Sequence, residues 1–157
     1  MTQQRDVPIT VEGLAEVRKE LDALIGTRRP EIVAKIKAAR EHGDLSENFE
    51  YHAARNEQAF VESRIRELEA IVKNHVLISS HASNGTVDLL STVTFAEVGE
   101  PEERYRIVGP AEADPGSGKI SFESAIGKAL MGRRVGEEVV VQAPAGGSYK
   151  VRILKVE

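Results

Sequence analysis

The sequence predicts an α+β protein: an N-terminal antiparallel helical hairpin of coiled-coil type, followed by a small antiparallel β-domain with one short helix. Apolar residues recur every three or four positions as far as Asn74, which is the helical period. Beyond Asn74 the apolar residues alternate with polar ones in short β-branched runs that turn residues separate. We therefore expect the hairpin over residues 1–79 and the β-domain over 83–157, with "SSHAS" at the boundary.

The first helix is predicted over residues 10–42. Thr10 can cap it, and the apolar stripe comprises Leu14, Val17, Leu21, Leu24, Ile32, Ile36 and Ala39. Pro30 lacks a backbone donor, so we expect the helix to kink or to restart there. Gly43 is expected to end it as a left-handed cap residue.

The second helix is predicted from about Ser46 to Asn74. Its seam of heptad type comprises Tyr51, Ala54, Gln58, Val61, Ile65, Leu68 and Val72. Each arm would be about 40–45 Å long at 1.5 Å per residue. An arm of that length cannot fold back into a core of this size, so we expect it to project. Pairing within one chain predicts a monomer.

The C-terminal half is predicted to form a small bent antiparallel sheet. Its strand-like runs are "HVLIS", "TVDLLSTVTFAEV", "RYRIV", "GKISF", "EEVVVQAP" and "YKVRILKVE". One helical segment, "ESAIGKALMG", interrupts them, and Gly132 is placed to end it.

Composition narrows the classes of function. The chain has 157 residues, 41% of them hydrophobic, and a formal net charge of -4, so nucleic-acid binding would require a local basic patch. It has no cysteine, which excludes disulfides and thiolate metal sites. Neither an apolar signal core nor a run of membrane-span length is present in the sequence, so we expect a cytoplasmic protein without a membrane partner.

The predicted tip, "GDLSEN" at residues 43–48, offers two carboxylates, Asp44 and Glu47. In one interpretation they form a capping box, with Asp44 as the N-cap and Glu47 reaching back. In the other, Ser46 caps the helix and both carboxylates point outward. An outward pair of hard oxygen ligands suits Mg²⁺, but two ligands do not complete its shell, so a partner would supply the rest.

Basic residues flank the tip. Arg40 and Arg55 lie nearest in sequence, and Lys35, Lys37 and His52 lie further back or beside them. They either form a solvated helix face with i,i+4 pairs or contact phosphate groups close to the acidic pair.

The segment "GDLSENxEYHAAR" resembles the tip of the bacterial transcript cleavage factors of the Gre family, the GreA type in particular. "RRPEIVAKIKAAREHGDLSENFEYHAARNEQAFVESRIRELE" resembles the hairpin of that family. "YRIVGPAEADPGSGKISFESAIGKALMGRRVGEEVVVQAP" resembles its C-terminal domain. The resemblance covers nearly the whole chain.

The resemblance implies a hairpin that enters the secondary channel of RNA polymerase and meets the 3′ end of backtracked nascent RNA. It implies that Asp44 and Glu47 help to hold the polymerase's second Mg²⁺ and orient the attacking water, and that Arg40 and Arg55 contact the RNA. The polymerase itself would cut the RNA, so the factor would be no enzyme and would have no cofactor of its own. Its C-terminal domain would be FKBP-like and dock at the channel rim. We further predict four residues that support the tip: Gly43, Ser46, Asn48 and Tyr51.

Two positions depart from the family pattern. Phe49 stands where the family commonly has Ala, and we expect it to pack between the helices rather than touch a polymerase wall. Ala125 replaces a common Pro in an "SPIG"-like segment, which puts the local turn or helix start in doubt.

Three other functions compete with this interpretation. An inhibitory Gre paralogue would have altered tip acids, whereas "DLSEN" is intact here. A prolyl isomerase needs an aromatic-lined pocket, and the C-terminal half has only Phe95, Tyr105, Phe122 and Tyr149. A coiled-coil scaffold would use the seam for self-association.

Overall fold

The structure, a computed structural model, describes residues 5–43 and 47–157. The chain divides into two compact units, one containing residues 12–75 and the other residues 6–11 together with 76–157. Across the described ranges, no helix combines the length and the apolar character that crossing a membrane requires.

The first unit is a helical hairpin. Its first arm comprises α1 (Val11–Ala23), a π-helical turn (Leu24–Arg28) and α2 (Arg29–Arg40), and its second arm is the single helix α3 (Phe49–Asn74). The predicted hairpin is confirmed, with α3 beginning a few residues later than expected.

The π-helical turn lies immediately before Pro30. Arg29 donates its backbone N–H to the carbonyl of Leu24, five residues back, and Pro30 occupies the first turn of α2. Because proline has no N–H and its ring crowds the carbonyl four residues back, a wider turn relieves the conflict without breaking the helix. The predicted interruption therefore takes the form of a π-helical turn from which α2 restarts.

The apolar seam of the hairpin follows the predicted stripes. Between α2 and α3, a cluster of buried side chains comprises Ile32, Ile36, Ala54, Val61 and Ile65. Leu21, Leu24 and Tyr51 pack against it and are half-buried. Side chains at spacings of three and four along both arms thus meet in one core, as the sequence predicts.

Ion pairs connect the two arms beside this core. Arg29 donates to Glu62 from Nε at 2.8 Å and from Nη2 at 2.9 Å. Arg64 on α3 donates to Glu20 on α1 from Nε at 2.7 Å and from Nη2 at 3.0 Å. Bidentate arginine–carboxylate pairs form only when the two side chains are aligned, so they favour one register of the two arms.

The second unit contains a five-stranded sheet. Its strands are β3 (Thr92–Glu97), β4 (Glu103–Val108), β5 (Lys119–Ser121), β6 (Glu138–Gln142) and β7 (Ser148–Val156). Their order across the sheet is β5-β4-β3-β7-β6.

Three of the four strand pairs are antiparallel, as predicted, but β4 and β5 run parallel, so the sheet is mixed. Within the connection between these strands, residues 109–118, Asp114 forms an antiparallel bridge to Lys119. Short 3-10 turns at Pro110–Glu112 and Pro115–Ser117 lie in the same connection. The chain reverses twice there, so β5 returns in the direction of β4.

One face of this sheet carries the core of the unit. The helix α4 (Ala125–Leu130) belongs to that core. The largest fully buried side chains of this core include Phe95, Ile107, Leu130 and Ile153. The doubt about Ala125 is resolved, because α4 begins there and the Ser124 hydroxyl accepts the Gly127 N–H at 3.1 Å.

A further strand pair, β1 (Val7–Ile9) with β2 (His75–Leu77), was not predicted as a sheet of its own. Residues 6–11 belong to the second unit. There the Glu112 carboxylate accepts the Thr10 N–H at 2.9 Å and the Thr10 hydroxyl at 2.5 Å. The domain boundaries expected from the sequence, residues 1–79 and 83–157, remain predictions.

Candidate functional site

The first arm of the hairpin ends just before the predicted acidic tip. The last residue of α2 is Arg40, and the Glu41 N–H still reaches the carbonyls of Lys37 at 3.3 Å and Ala38 at 3.2 Å. Gly43 then has a φ of 113°, which residues with a Cβ rarely adopt. Gly43 thus has the predicted positive φ, but the C-cap of α2 is Glu41, so Gly43 lies two residues beyond the residue that ends the helix.

The second arm begins after an asparagine cap. Asn48 has extended backbone angles, φ -90° and ψ 96°, and its Oδ1 accepts the Tyr51 N–H at 3.0 Å. Neither capping interpretation from the sequence is therefore right: α3 takes its N-cap from Asn48, not from Asp44 or Ser46. Asparagine ranks among the strongest caps, because its short side chain can accept the N–H of the residue three positions later, here Tyr51.

Asn48 also contacts the other arm. Its Nδ2 donates to the carbonyl oxygen of Ala39 at 2.7 Å. That carbonyl lies in the last turn of α2 and also accepts the His42 N–H at 3.2 Å, so Asn48 uses the second lone pair of the oxygen. One side chain therefore pairs with a donor at the start of α3 and with an acceptor at the end of α2. Propensity for helix caps would have identified the first contact from the sequence, but not the second.

Of the two predicted tip acids, the structure describes one. Glu47 is exposed and lies outside both helices, one residue before the cap. It borders a shallow depression with His42, Asn48, Phe49 and Glu50. Asp44, like Ser46, lies outside the described residues, so the structure gives no distance between the two carboxylates.

Phe49 is 88% exposed, and the prediction that it packs between the helices is wrong. Helix geometry gives the reason. Tyr51 and Ala54 face the other arm, and Phe49 precedes Tyr51 by two residues, about 200° around the helix. An aromatic ring is thus displayed beside Glu47.

The two predicted basic residues have different neighbours. The Arg40 guanidinium carbon lies 5.8 Å from the centroid of the Tyr51 ring, a cation–π distance. Arg55 donates from Nη1 to Gln58 Oε1 at 2.9 Å. Tyr51 and Arg55 are four residues apart, so they occupy neighbouring positions on the surface of α3. Both guanidinium groups are exposed near the start of α3.

Two other basic residues predicted near the tip, Lys35 and His52, also have identifiable neighbours. Lys35 forms an ion pair with Glu57 at 3.1 Å. Glu57 also pairs with Arg28. His52 is exposed, and its ring lies edge-on to Tyr51 with centroids 5.6 Å apart. Lys35 therefore takes part in the contact between the arms, and its ion pair is not the i,i+4 pair of the solvated-face interpretation.

A metal ion would need ligands from outside the tip. In the ranges that the structure covers, no group of three or more histidine, cysteine or acidic side chains could hold one. Glu47 offers two oxygens, whereas Mg²⁺ takes six ligands in octahedral geometry. What the described tip can do is present a carboxylate, an aromatic ring and guanidinium groups to another molecule.

Comparisons with known proteins agree with both units. A family model described as "Transcription elongation factor, N-terminal" matches residues 7–76, and one described as "Transcription elongation factor, GreA/GreB, C-term" matches residues 82–157. The chain is 50% identical over 157 residues to transcription elongation factor GreA of Macrococcus caseolyticus, covering 99% of each protein. It is also 50% identical over 159 residues to GreA of Geobacillus kaustophilus, covering 100% of each.

Among solved structures, the chain is similar to GreA factor homolog 1 of Thermus thermophilus, at 28% identity and a TM-score of 0.46, covering 98% of this chain and 99% of that one. The two family models together span nearly all of the sequence, and the resemblance inferred from "GDLSENxEYHAAR" is confirmed. This chain belongs to the GreA/GreB family of transcription elongation factors.

Proposed function

We propose that this protein is a transcription elongation factor that enters the secondary channel of RNA polymerase and stimulates the polymerase to cleave backtracked nascent RNA. The observation that carries the proposal is the tip: Glu47 is exposed beside a cap that ties both arms together. The described part of the tip presents an acid at the edge of a shallow, open depression, which suits delivery to another active centre.

The length of the arm supports delivery over a distance. The helix α3 has 26 residues. At 1.5 Å per residue that is about 39 Å, more than a 157-residue protein needs to build its own core. The seam and the ion pairs between the arms make the hairpin stiff enough to place its tip.

Metal chemistry accounts for the acids. The polymerase would supply most ligands of a second Mg²⁺ at the phosphodiester to be cut, and Asp44 with Glu47 would add carboxylate oxygens. A second metal positions and activates the attacking water and stabilises the leaving oxygen. The protein itself needs no cofactor and no complete active site, because the polymerase breaks the bond.

The basic side chains would hold the RNA. Arg40 and Arg55 are exposed near the start of α3, within reach of a phosphate backbone that approaches the tip. Gly43, Asn48 and Tyr51 would keep the loop in shape through the turn, the cap and the ring under Arg40. Such a factor would act as a monomer in the cytoplasm, where transcription takes place in bacteria.

The decisive experiment adds the protein to stalled, backtracked polymerase complexes with end-labelled RNA. We expect the RNA to shorten with the wild type and to stay intact with Asp44→Ala or Glu47→Ala. The matched control is Glu69→Ala, which removes an exposed acid from the end of α3 that is distant from the tip. This variant should cleave like the wild type.

Two results would contradict the proposal. Normal cleavage by both alanine variants would mean that the acids have no catalytic task. A wild type that binds the polymerase but protects the RNA from cleavage would assign the protein to the inhibitory paralogues. Binding measured in the same reactions separates loss of chemistry from loss of docking.

A further inference from the structure

The outward face of the C-terminal sheet, opposite its core, is strongly basic. Side chains paired across adjacent strands lie on the same face, and residues next to buried ones point away from the core. In the described part of the chain this face carries six basic side chains: Arg104, Arg106, Lys119, Lys150, Arg152 and Lys155. It carries two acidic ones, Glu138 and Glu157. The chain as a whole has a net charge of -4, so this face opposes the average.

The cations form two rows, and the strand between the rows carries short side chains. On one side lie Arg104 and Arg106 of β4, with Lys119 of β5 next to Arg106. On the other side lies the row of β7, comprising Lys150, Arg152 and Lys155.

The strip between the rows belongs to β3, whose outward side chains are short: Thr92, Thr94 and Ala96. Neighbouring strands are about 4.8 Å apart, so the rows are separated by about 10 Å at the backbone. The result is a shallow trough with cationic sides and threonine hydroxyls on its floor.

An anion of this chain already bridges the trough. The Glu157 carboxylate accepts from Arg104 Nη2 on one side at 3.1 Å and from Lys155 Nζ on the other at 2.7 Å. The hydrogen bond from Lys155 is the main cause that lowers the pKa of the Glu157 carboxyl, and Arg104 adds to it. The two rows are thus spaced so that one anionic group can contact both.

The remaining charges leave the face open to an external anion. Glu138 is shared by Lys150 at 3.3 Å and Arg152 at 3.9 Å. Glu138 and Glu157 thus each contact two cations, and the positive charge of the face exceeds the negative charge. Side-chain exposure is 66% for Arg104 and 64% for Arg152. The open part ends at Arg106, because Val108, the next outward residue of β4, is 2% exposed. At the other end the turn after β3 carries Glu100 and Glu102.

We propose that this trough, which we call the basic sheet face, binds the phosphate backbone of duplex DNA without regard to sequence. Cations in two rows with hydroxyls between them are the groups that contact phosphates. The aromatic rings of the sheet, Phe95, Tyr105 and Tyr149, belong to the core on the opposite face. No ring is therefore placed for stacking on unpaired bases, which favours a duplex over a single strand.

In this arrangement Glu157 is an internal competitor. Its carboxylate occupies the gap that a phosphate would take, so DNA must displace it from Arg104 and Lys155. The acidic turn at residues 100–102 repels phosphate and limits the contact to the other part of the face. This proposal does not depend on the role of the hairpin tip.

The test measures binding of the full-length protein to a fluorescein-labelled duplex of about 20 bp, two helical turns, by anisotropy over a series of salt concentrations. In Arg104→Gln/Arg152→Gln we expect weaker binding and a salt slope smaller in magnitude by about 1.8, since each lost phosphate contact removes about 0.9. Glu157→Gln should change affinity in the opposite direction, tightening it several-fold.

The matched control is Lys128→Gln/Arg133→Gln, which removes two exposed cations of the same unit from outside the basic sheet face. It should bind DNA with the slope of the wild type. A slope equal to that of the control in Arg104→Gln/Arg152→Gln would overturn the proposal, and so would weaker binding by Glu157→Gln. Tighter binding to the single strand of the same sequence would also overturn it. Displacement of the duplex by polyglutamate at equal charge would instead indicate an acidic protein as the occupant.

Discussion

The side-chain amide nitrogen of Asn48 lies 2.7 Å from the carbonyl oxygen of Ala39 and joins the two arms of the hairpin directly beneath the tip. The same side chain caps α3 through the Tyr51 N–H. Glu47 is its chain neighbour, so the position of the acid depends on a residue that has no charge.

Replacing Asn48 separates these two contacts. Asn48→Asp keeps a good cap but loses the donor to Ala39, whereas Asn48→Ala loses both. We expect Asn48→Ala to destabilise the hairpin by about 1–2 kcal/mol, from the lost cap, and Asn48→Asp to destabilise it less. Hydrogen exchange at the Tyr51 amide should become faster in Asn48→Ala and stay slow in Asn48→Asp. Equal exchange in both variants would show that capping is not the role of Asn48.

Phe49→Ala should leave stability almost unchanged. The ring is 88% exposed, and surface substitutions usually change the unfolding free energy by less than about 0.5 kcal/mol. The comparison is Ile65→Ala, because Ile65 is 2% exposed and its truncation should cost about 2–5 kcal/mol. Urea denaturation followed by helical circular dichroism measures both. A large loss in Phe49→Ala would mean that the ring packs after all.

The pair Arg29–Glu62 makes the hairpin sensitive to acid. The hydrogen bond from Arg29 is the largest cause that lowers the pKa of the Glu62 carboxyl. A lowered pKa in the folded state gives a stabilisation that is present above the unfolded pKa and is lost as pH falls through the folded pKa. The melting temperature should therefore fall on acidification below the ordinary glutamate range, and less steeply in Glu62→Gln.

The control for this experiment is Glu16→Gln, which removes an exposed acid of α1. Its melting temperature should follow the pH dependence of the wild type. Because both partners are partly exposed, high salt should reduce the difference between the wild type and Glu62→Gln. Identical acid profiles for the wild type and Glu62→Gln would contradict the assigned role of the pair.

Gly127→Ala should destabilise the C-terminal unit. A Cβ at this position would lie 2.1 Å from the Ser121 carbonyl oxygen and 2.9 Å from the Phe122 Cα, so backbone must move. Overpacking of this kind costs about 1–3 kcal/mol. The same substitution at Gly26 meets nothing within 4 Å and lies in a helical arm, so Gly26→Ala should stabilise by up to about 1 kcal/mol. Thermal unfolding of both variants tests the contrast in sign.

Much of the fold could be predicted because the apolar residues recur at clear helical and strand spacings. Residues of the predicted stripe from Leu21 to Ile36 and of the predicted seam from Tyr51 to Ile65 share one buried cluster, since side chains three and four residues apart share a helix surface. The parallel pairing of β5 with β4 could not be predicted, because the alternation of a strand is the same in either direction. Only the path of residues 109–118 decides it.

At the tip, the sequence by itself determined the types of group on offer: carboxylates at 44 and 47, guanidinium groups at 40 and 55, and a glycine at 43. Tertiary structure decided where the helices begin and end. Several residues near 44–48 are of types that can cap a helix, and in the described part of the chain Asn48 both caps α3 and reaches Ala39. Phe49 then faces solvent, since a helix that begins there turns its first residue away from the seam.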